Sequence, residues 1–309
     1  MGWHSIIAHD ALVRRCRPGW YRSDREVPAL FRQRPPIARA PGCDNASMPR
    51  FRLHLAYDGT DFHGWQRQEP PGASPLRTVQ GVVEEAVSTA VGAPTRVQGA
   101  SRTDSGVHAK MQIAAFDTET RIPVDRLAAA ISSRLPEDVQ VLSAHAAPAE
   151  FDPSVHCASK GYRYRIRHGV GQGVAQPLFD RRWVWFTFHR LDPAAMQRAA
   201  GAFEGTRDFL AMTSADHGRE TTVRTIHTCR VRAIDAHDLA IDVAGPGFLY
   251  NMVRIIAGTI VEVGRGRIPA TEVTAILDSM DRRRAGPTLP AHGLCLEWIH
   301  LDPKWRCEA

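Results

Sequence analysis

The sequence predicts an α+β fold: two similar α/β subdomains with mainly antiparallel sheets, joined around a central cleft. Three observations predict it. Runs of period-two alternation recur between stretches with helical spacing, the connections between them are short turns, and the pattern restarts near residue 155. The chain has 309 residues, 43% of them hydrophobic and 23% charged, which is enough for one large core or two ordinary ones in a soluble globular protein.

The elements follow in order. Residues 1–47 carry five prolines, eight arginines, no lysine and no sustained periodicity, so they are expected to be a disordered basic extension. Their basic and apolar parts stand in the wrong order for a secretory signal. Asp10, Asp24, Glu26 and Asp44 argue against a transit peptide. A strand pattern begins directly after Met48, which makes that methionine a candidate translation start.

In the first subdomain, residues 48–155, the run Phe51–Tyr57 alternates as a strand and Asp58-Gly59-Thr60 supplies a turn. Val79, Val82, Val83, Ala86, Val87 and Ala90 form one helical stripe, ended by Gly92. Strands are expected at Thr95–Gln98 and Gln112–Phe116, with a polar loop between them. Leu127, Ala128, Ile131 and Leu135 mark a helix stopped by Pro136, and Val139–Ala144 a further strand.

The second subdomain, residues 156–309, repeats the theme. Tyr162–Arg167 alternates strictly, with rings and Ile166 on one face and arginines on the other. Asp192-Pro193 is a cap and first-turn pair for a helix carrying Met196, Ala199, Ala200 and Phe203. Strands are expected at Thr225–Arg232 and Leu239–Ala244, helices at Met252–Val263 and Pro269–Leu277, and a closing strand at Leu294–Ile299.

Composition excludes several functions. The net charge is +6, and residues 1–47 hold a local excess of four, so an RNA-binding face must come from arrangement rather than total charge. The six cysteines are scattered without C-x-x-C pairs or metal spacing, which points to reduced thiols in a cytoplasmic protein and no zinc. No apolar run approaches the roughly 20 residues of a membrane span. Phosphate-loop, HExxH and GxGxxG signatures are absent, and no serine–histidine arrangement stands out.

The most informative stretch is Arg102-Thr103-Asp104-Ser105-Gly106-Val107-His108, a cation, a carboxylate, two hydroxyls and an imidazole around a glycine. A rigid sheet on either side would present it, as functional loops require. Asp104 reads either as a turn cap or as a functional carboxylate. Arg254, inside an apolar helix, needs a carboxylate or phosphate partner: any nearby acid, or Asp104 across the cleft, unless it snorkels to the surface. Tyr162 and Tyr164 read either as a core pair or as a platform for a nucleobase. The arginines opposite them, with Arg181 and Arg182, either track phosphates or form a solvated face. This set suits cofactor-free chemistry at a sugar or a base without naming a reaction.

Its pieces resemble the tRNA pseudouridine synthase A family over residues 50–300, in that family's order. They are Tyr57–Gln68, Arg77–Val82, Arg102-Thr103-Asp104 with Gly106-Val107-His108, and Lys160–Tyr164. Gly205–Phe209, Val223–Ile226, Gly247–Arg254, and Gly286-Pro287-Thr288 with Gly293-Leu294 follow. The resemblance implies a pseudouridine synthase fold and an isomerase that detaches uracil from ribose and rejoins it through C5. It implies that Asp104 is the catalytic aspartate, acting on a uridine flipped from tRNA. Tyr162 would stack on the base and handle protons, Arg254 would pair with Asp104, and Arg102 would hold the flipped nucleotide or fill its gap. The implied targets are uridines 38, 39 and/or 40 (tRNA numbering) in the anticodon stem-loop. The implied assembly is a homodimer sharing the RNA, with no metal and no small-molecule cofactor. Ser101 and Ser105 depart from the family's usual glycine and alanine, and Phe151-Asp152-Pro153-Ser154 lacks an arginine common there. The alternatives on the same scaffold are a non-catalytic tRNA-binding protein and a hydrolase releasing uracil.

Overall fold

A computed structural model describes residues 48–72, 74–169, 174–214 and 220–305. The extension expected at residues 1–47 lies outside the described residues. Strand β1 (Arg50–Tyr57) buries Leu53, Leu55 and Tyr57 and leaves His54 and Ala56 half-buried, following its alternation. Thr78 caps α1 (Val79–Val91) by accepting the Gly81 N–H, and Gly92 closes it in the left-handed region at φ 77°. The two-residue β2 (Gln98–Gly99) and the long β3 (His108–Asp117) flank the polar loop. Helix α2 (Val124–Ser132) and β4 (Val139–Ala147) complete this half.

The second half begins with β5 (Cys157–His168) and the short β6 (Trp185–Thr187). Asp192 caps α3 (Pro193–Gly201), accepting from the N–H groups of Ala194 and Ala195. Strands β7 (Gly205–Asp208), β8 (Val223–Ile226), β9 (Thr228–Ala233) and β10 (Asp238–Gly245) follow. Helices α4 (Met252–Gly264) and α5 (Glu272–Asp278) lead to β11 (Leu294–Leu301).

Among the described residues, nine strands form one sheet in the order β4-β1-β3-β11-β5-β10-β9, with β2 on β3 and β6 on β5, while β7 and β8 pair separately. All pairs are antiparallel except β3–β11 and β5–β6. The sheet therefore runs from one half into the other through β3 and β11, where His108 pairs with Cys295 and Ala109 with Leu296. Because these two strands are parallel, the polar loop before β3 lies beside the start of β11. The buried apolar side chains form a cluster that takes in residues of both halves, from Phe51 and Phe116 to Tyr164 and Ile255. Each such side chain contributes roughly 1.5–3 kcal/mol when fully buried.

Several elements differ from expectation, three of them for reasons the hydrogen bonds show. Thr95–Val97 is not a strand, because α1 side chains take its backbone groups: Ser88 Oγ accepts the Thr95 N–H (2.9 Å) and Glu84 accepts that of Val97 (3.0 Å). The single strand expected over Thr225–Arg232 is two, β8 in the small sheet and β9 in the large one. The break falls at His227, whose N–H turns to the Ala244 carbonyl (2.8 Å). Helix α2 stops at Ser132 rather than running to Leu135: the Arg134 and Leu135 N–H groups bond back only three residues, to the Ile131 and Ser132 carbonyls, and Pro136 disfavours the α region at Leu135.

Candidate active site

The Asp104 loop rests on the turn after β1. The Tyr57 hydroxyl meets Thr103 Oγ1 at 2.8 Å, and the Trp65 N–H donates to the Thr103 carbonyl (3.0 Å). Phe62 offers its carbonyl to the Gly106 N–H (3.2 Å) and to the Ser105 hydroxyl (3.1 Å). The Gly59 N–H donates to Nδ1 of His108 (3.0 Å), and Nε2 of that ring lies 3.2 Å from the His292 carbonyl. Gly59 has to be glycine here, because a Cβ would overlap the Val107 carbonyl. The loop is thus bonded on both sides of Asp104, whose side chain retains 24% exposure.

Arg254 reaches Asp104 from α4, with Nη1 3.3 Å from Oδ2. It is the one residue among the helix's thirteen that is not buried. Two further bonds aim it: Nε donates to the Leu289 carbonyl (2.7 Å) and Nη1 to Asn251 Oδ1 (2.8 Å). Leu289 is delivered by close packing. A Cβ on Gly258 would overlap the Pro287 carbonyl, and the Gly286 N–H donates to Thr259 Oγ1 (2.9 Å). Asn251 sits just before α4 at φ 59°, a left-handed position that asparagine tolerates better than most residues, and its amide donates to Ser214 Oγ (3.1 Å).

Burial raises the pKa of Asp104, and the Arg254 guanidinium works against that rise. The result is a carboxylate more basic than one on the surface, held by the directed guanidinium of Arg254. Such a group can act as a base or as a nucleophile.

Tyr162 is buried on β5 with its ring edge-on to Phe248 (centroids 5.4 Å apart, 88° between planes). Its hydroxyl lies 2.8 Å from Ser101 Oγ, and burial pushes its pKa well up. Lys160 Nζ reaches the Ala100 carbonyl (3.1 Å) and Ser101 Oγ (3.3 Å). Arg102, Asp104, Tyr162, Phe248 and Arg254 all line one cavity of about 1050 Å³, large enough for a small ligand of nucleotide size.

The tRNA pseudouridine synthase family profile matches residues 54–154 and 199–300. The chain belongs to the tRNA pseudouridine synthase family. It is 40% identical over 253 residues to tRNA pseudouridine synthase A of Ruminiclostridium cellulolyticum, covering 82% of this chain and 100% of that one. It is 42% identical over 248 residues to the protein of the same name from Halalkalibacterium halodurans, covering 80% and 90%. A third, from Myxococcus xanthus, is 40% identical over 252 residues, covering 82% and 92%. Pseudouridine synthases are isomerases, so this chain is an enzyme of that class.

In this pseudouridine synthase, the four residues singled out from the sequence, Asp104, Tyr162, Arg102 and Arg254, come together at one cavity, with Arg102 exposed. Tyr164 separates from Tyr162: it is fully buried and donates its hydroxyl to the Pro290 carbonyl (2.7 Å), so it belongs to the core. Two of the strand arginines face carboxylates on β10, with Arg163 Nε 2.7 Å from Asp242 and Arg167 Nε 2.7 Å from Asp238. Arg182 lies within 3.9 Å of Asp58 and 3.8 Å of Asp61. Sequence reasoning missed the parts played by Ser101, Lys160 and Asn251. Lys160 carried a signal, since it lies two residues before Tyr162 on one strand face.

Proposed function

We propose that this chain isomerises uridine to pseudouridine in tRNA, at position 38, 39 and/or 40 of the anticodon stem-loop, with Asp104 as the catalytic group. The observation that carries this reading is the Asp104–Arg254 ion pair beside Tyr162 in one cavity of a pseudouridine synthase chain. A uridine must leave its stack to reach such a carboxylate. The N1–C1′ bond is then exchanged for a C5–C1′ bond, and one proton passes from C5 to N1. This balance consumes no cofactor. Tyr162 supplies the face against which the base turns, Arg254 keeps Asp104 ionised and aimed, and Arg102 meets the displaced nucleotide or the gap it leaves.

Each half contributes to this site: residues 48–155 carry Asp104, and residues 156–309 carry Tyr162 and Arg254. The proposed assembly is a homodimer working on tRNA in the cytoplasm. The run Leu178–Phe188 supports self-association, since it exposes Leu178, Phe179 (87%), Trp183 and Phe188.

The test incubates the full chain with unmodified tRNA, digests it, and measures pseudouridine, its position, and free uracil. Pseudouridine at 38, 39 or 40 that vanishes with Asp104→Asn, while tRNA still binds through its phosphates, supports the proposal. Binding without product would leave a tRNA-binding protein, and free uracil a hydrolase.

A further inference from the structure

We infer that Ser101 and Lys160 are positioning residues: together they direct a hydrogen bond onto the phenol oxygen of Tyr162 and so fix the ring and the proton state of that oxygen. Which partners donate and which accept decides this. An ammonium group carries donors only, so Ser101 Oγ, 3.3 Å from Lys160 Nζ, is the acceptor of that contact. Accepting from an ammonium polarises the serine O–H and makes it the better donor of the pair, which favours sending the serine's own proton to the Tyr162 oxygen, 2.8 Å away. Lys160 is itself anchored on the Ala100 carbonyl (3.1 Å), the residue before Ser101. The lysine thus ties β5 to the segment that leads into Asp104, and the segment presenting the carboxylate also holds the phenol.

The surroundings make this bond consequential. Asp104 on the loop, Cys157 on β5 and Cys295 on β11 disfavour the anion of Tyr162, and Tyr57 of β1 acts in the same sense, while the Lys160 ammonium reaches the phenol through Ser101. Phe248, packed on the ring, carries no charge. Ser101 supplies the opposing interaction, one that favours the ionised phenol. A glycine at this position would have no atom with which to make it.

The catalytic consequence of the dyad rests on the proposed isomerase function, whereas its effect on the phenol does not. The test is therefore a fluorine NMR titration of the full chain with difluorotyrosine at position 162, run beside the pseudouridine assay. Ser101→Ala is expected to raise the titration midpoint by about one pH unit, a tenfold loss of acidity. Lys160→Met is expected to raise it less, and Ser101→Thr and Lys160→Arg to hold it. In the assay, Ser101→Ala lowers kcat about tenfold with KM within about twofold, the pattern of a group acting in the transition state. Midpoints unchanged in both Ser101→Ala and Lys160→Met would overturn the inference, whatever the turnover. Shifted midpoints in a chain that makes no pseudouridine would sustain the dyad and refute the proposed reaction.

Discussion

Asn251 and Asp104 share one nitrogen of Arg254: Nη1 lies 2.8 Å from the asparagine oxygen and 3.3 Å from the carboxylate. The shorter bond is the local one, to the residue just before the arginine's own helix. Arg254 is therefore aimed before Asp104 is considered, and the ion pair forms against a preset donor rather than a swinging side chain.

That relationship predicts the behaviour of two variants. Asn251→Gly keeps the left-handed backbone but loses the amide, so kcat should fall about tenfold with KM within about twofold and little loss of stability. Asn251→Ala loses the amide and adds roughly 1–2 kcal/mol of left-handed strain, so it should also unfold earlier in urea. Initial rates and urea midpoints measured together separate the two effects. A fully active Asn251→Gly would show that Leu289 and Asp104 suffice to hold the arginine.

The electrostatics of Asp104 predict an acid limb. Its pKa is raised first by burial, and Arg254 opposes the rise. If the ionised carboxylate is the active form, the rate should fall on acidification at a pH above the ordinary aspartate range. Arg254→Met removes the opposing cation, so the limb should move to still higher pH as well as lowering the plateau. The measurement is kcat/KM against pH for both proteins. A limb that stays in place in Arg254→Met would detach it from Asp104.

Much of this was legible in the sequence because burial constrains charge. An arginine inside Met252–Val263 had either to pair with an acid or to snorkel to the surface, and the Asp104 loop was one of the acids it could meet. The two tyrosines of β5 could not be told apart, since both lie on one face; they differ only in what lies over them. The Pro290 carbonyl caps Tyr164, whereas Ser101 and the cavity meet Tyr162. Thr95–Val97 misled for a related reason: its alternation was real, but Ser88 and Glu84 on α1 claimed its backbone groups. Asn251 lay inside the matching stretch Gly247–Arg254, but its part depends on a left-handed backbone that no side-chain pattern announces.

The seam between α4 and Gly286-Pro287 predicts a stability and an activity effect from one methyl group. In Gly258→Ala the new Cβ would overlap the Pro287 carbonyl, backbone that cannot swing aside as a side chain would. Overpacking of this kind costs about 3 kcal/mol. The same displacement moves Leu289, whose carbonyl holds Arg254 Nε at 2.7 Å, so turnover should fall more than the folded fraction does. Urea unfolding and rates normalised to folded protein check both parts. An alanine variant of unchanged stability would mean the seam can open without cost.

Histidines predict how the fold responds to acid. His54 on β1 has its pKa lowered from 6.5 to about 4, by burial first and then by Arg52 and His145. Its folded value is depressed, so the sign is fixed: the unfolded chain takes up a proton as pH falls below 6.5, while folded His54 stays neutral until about 4. The stabilisation is complete above that window and is lost progressively on descending through it. His54 keeps some solvent contact, which screens the effect, so roughly 1 kcal/mol should disappear between about pH 7 and about pH 5. His145, which contacts the same Ser143 hydroxyl, is lowered in the same direction, so the contribution of His54 has to be read as a difference. Urea unfolding of wild type and His54→Gln at both pH values supplies it. The wild type should lose about 1 kcal/mol more than the variant on acidification, and equal losses would place the acid sensitivity of the fold elsewhere.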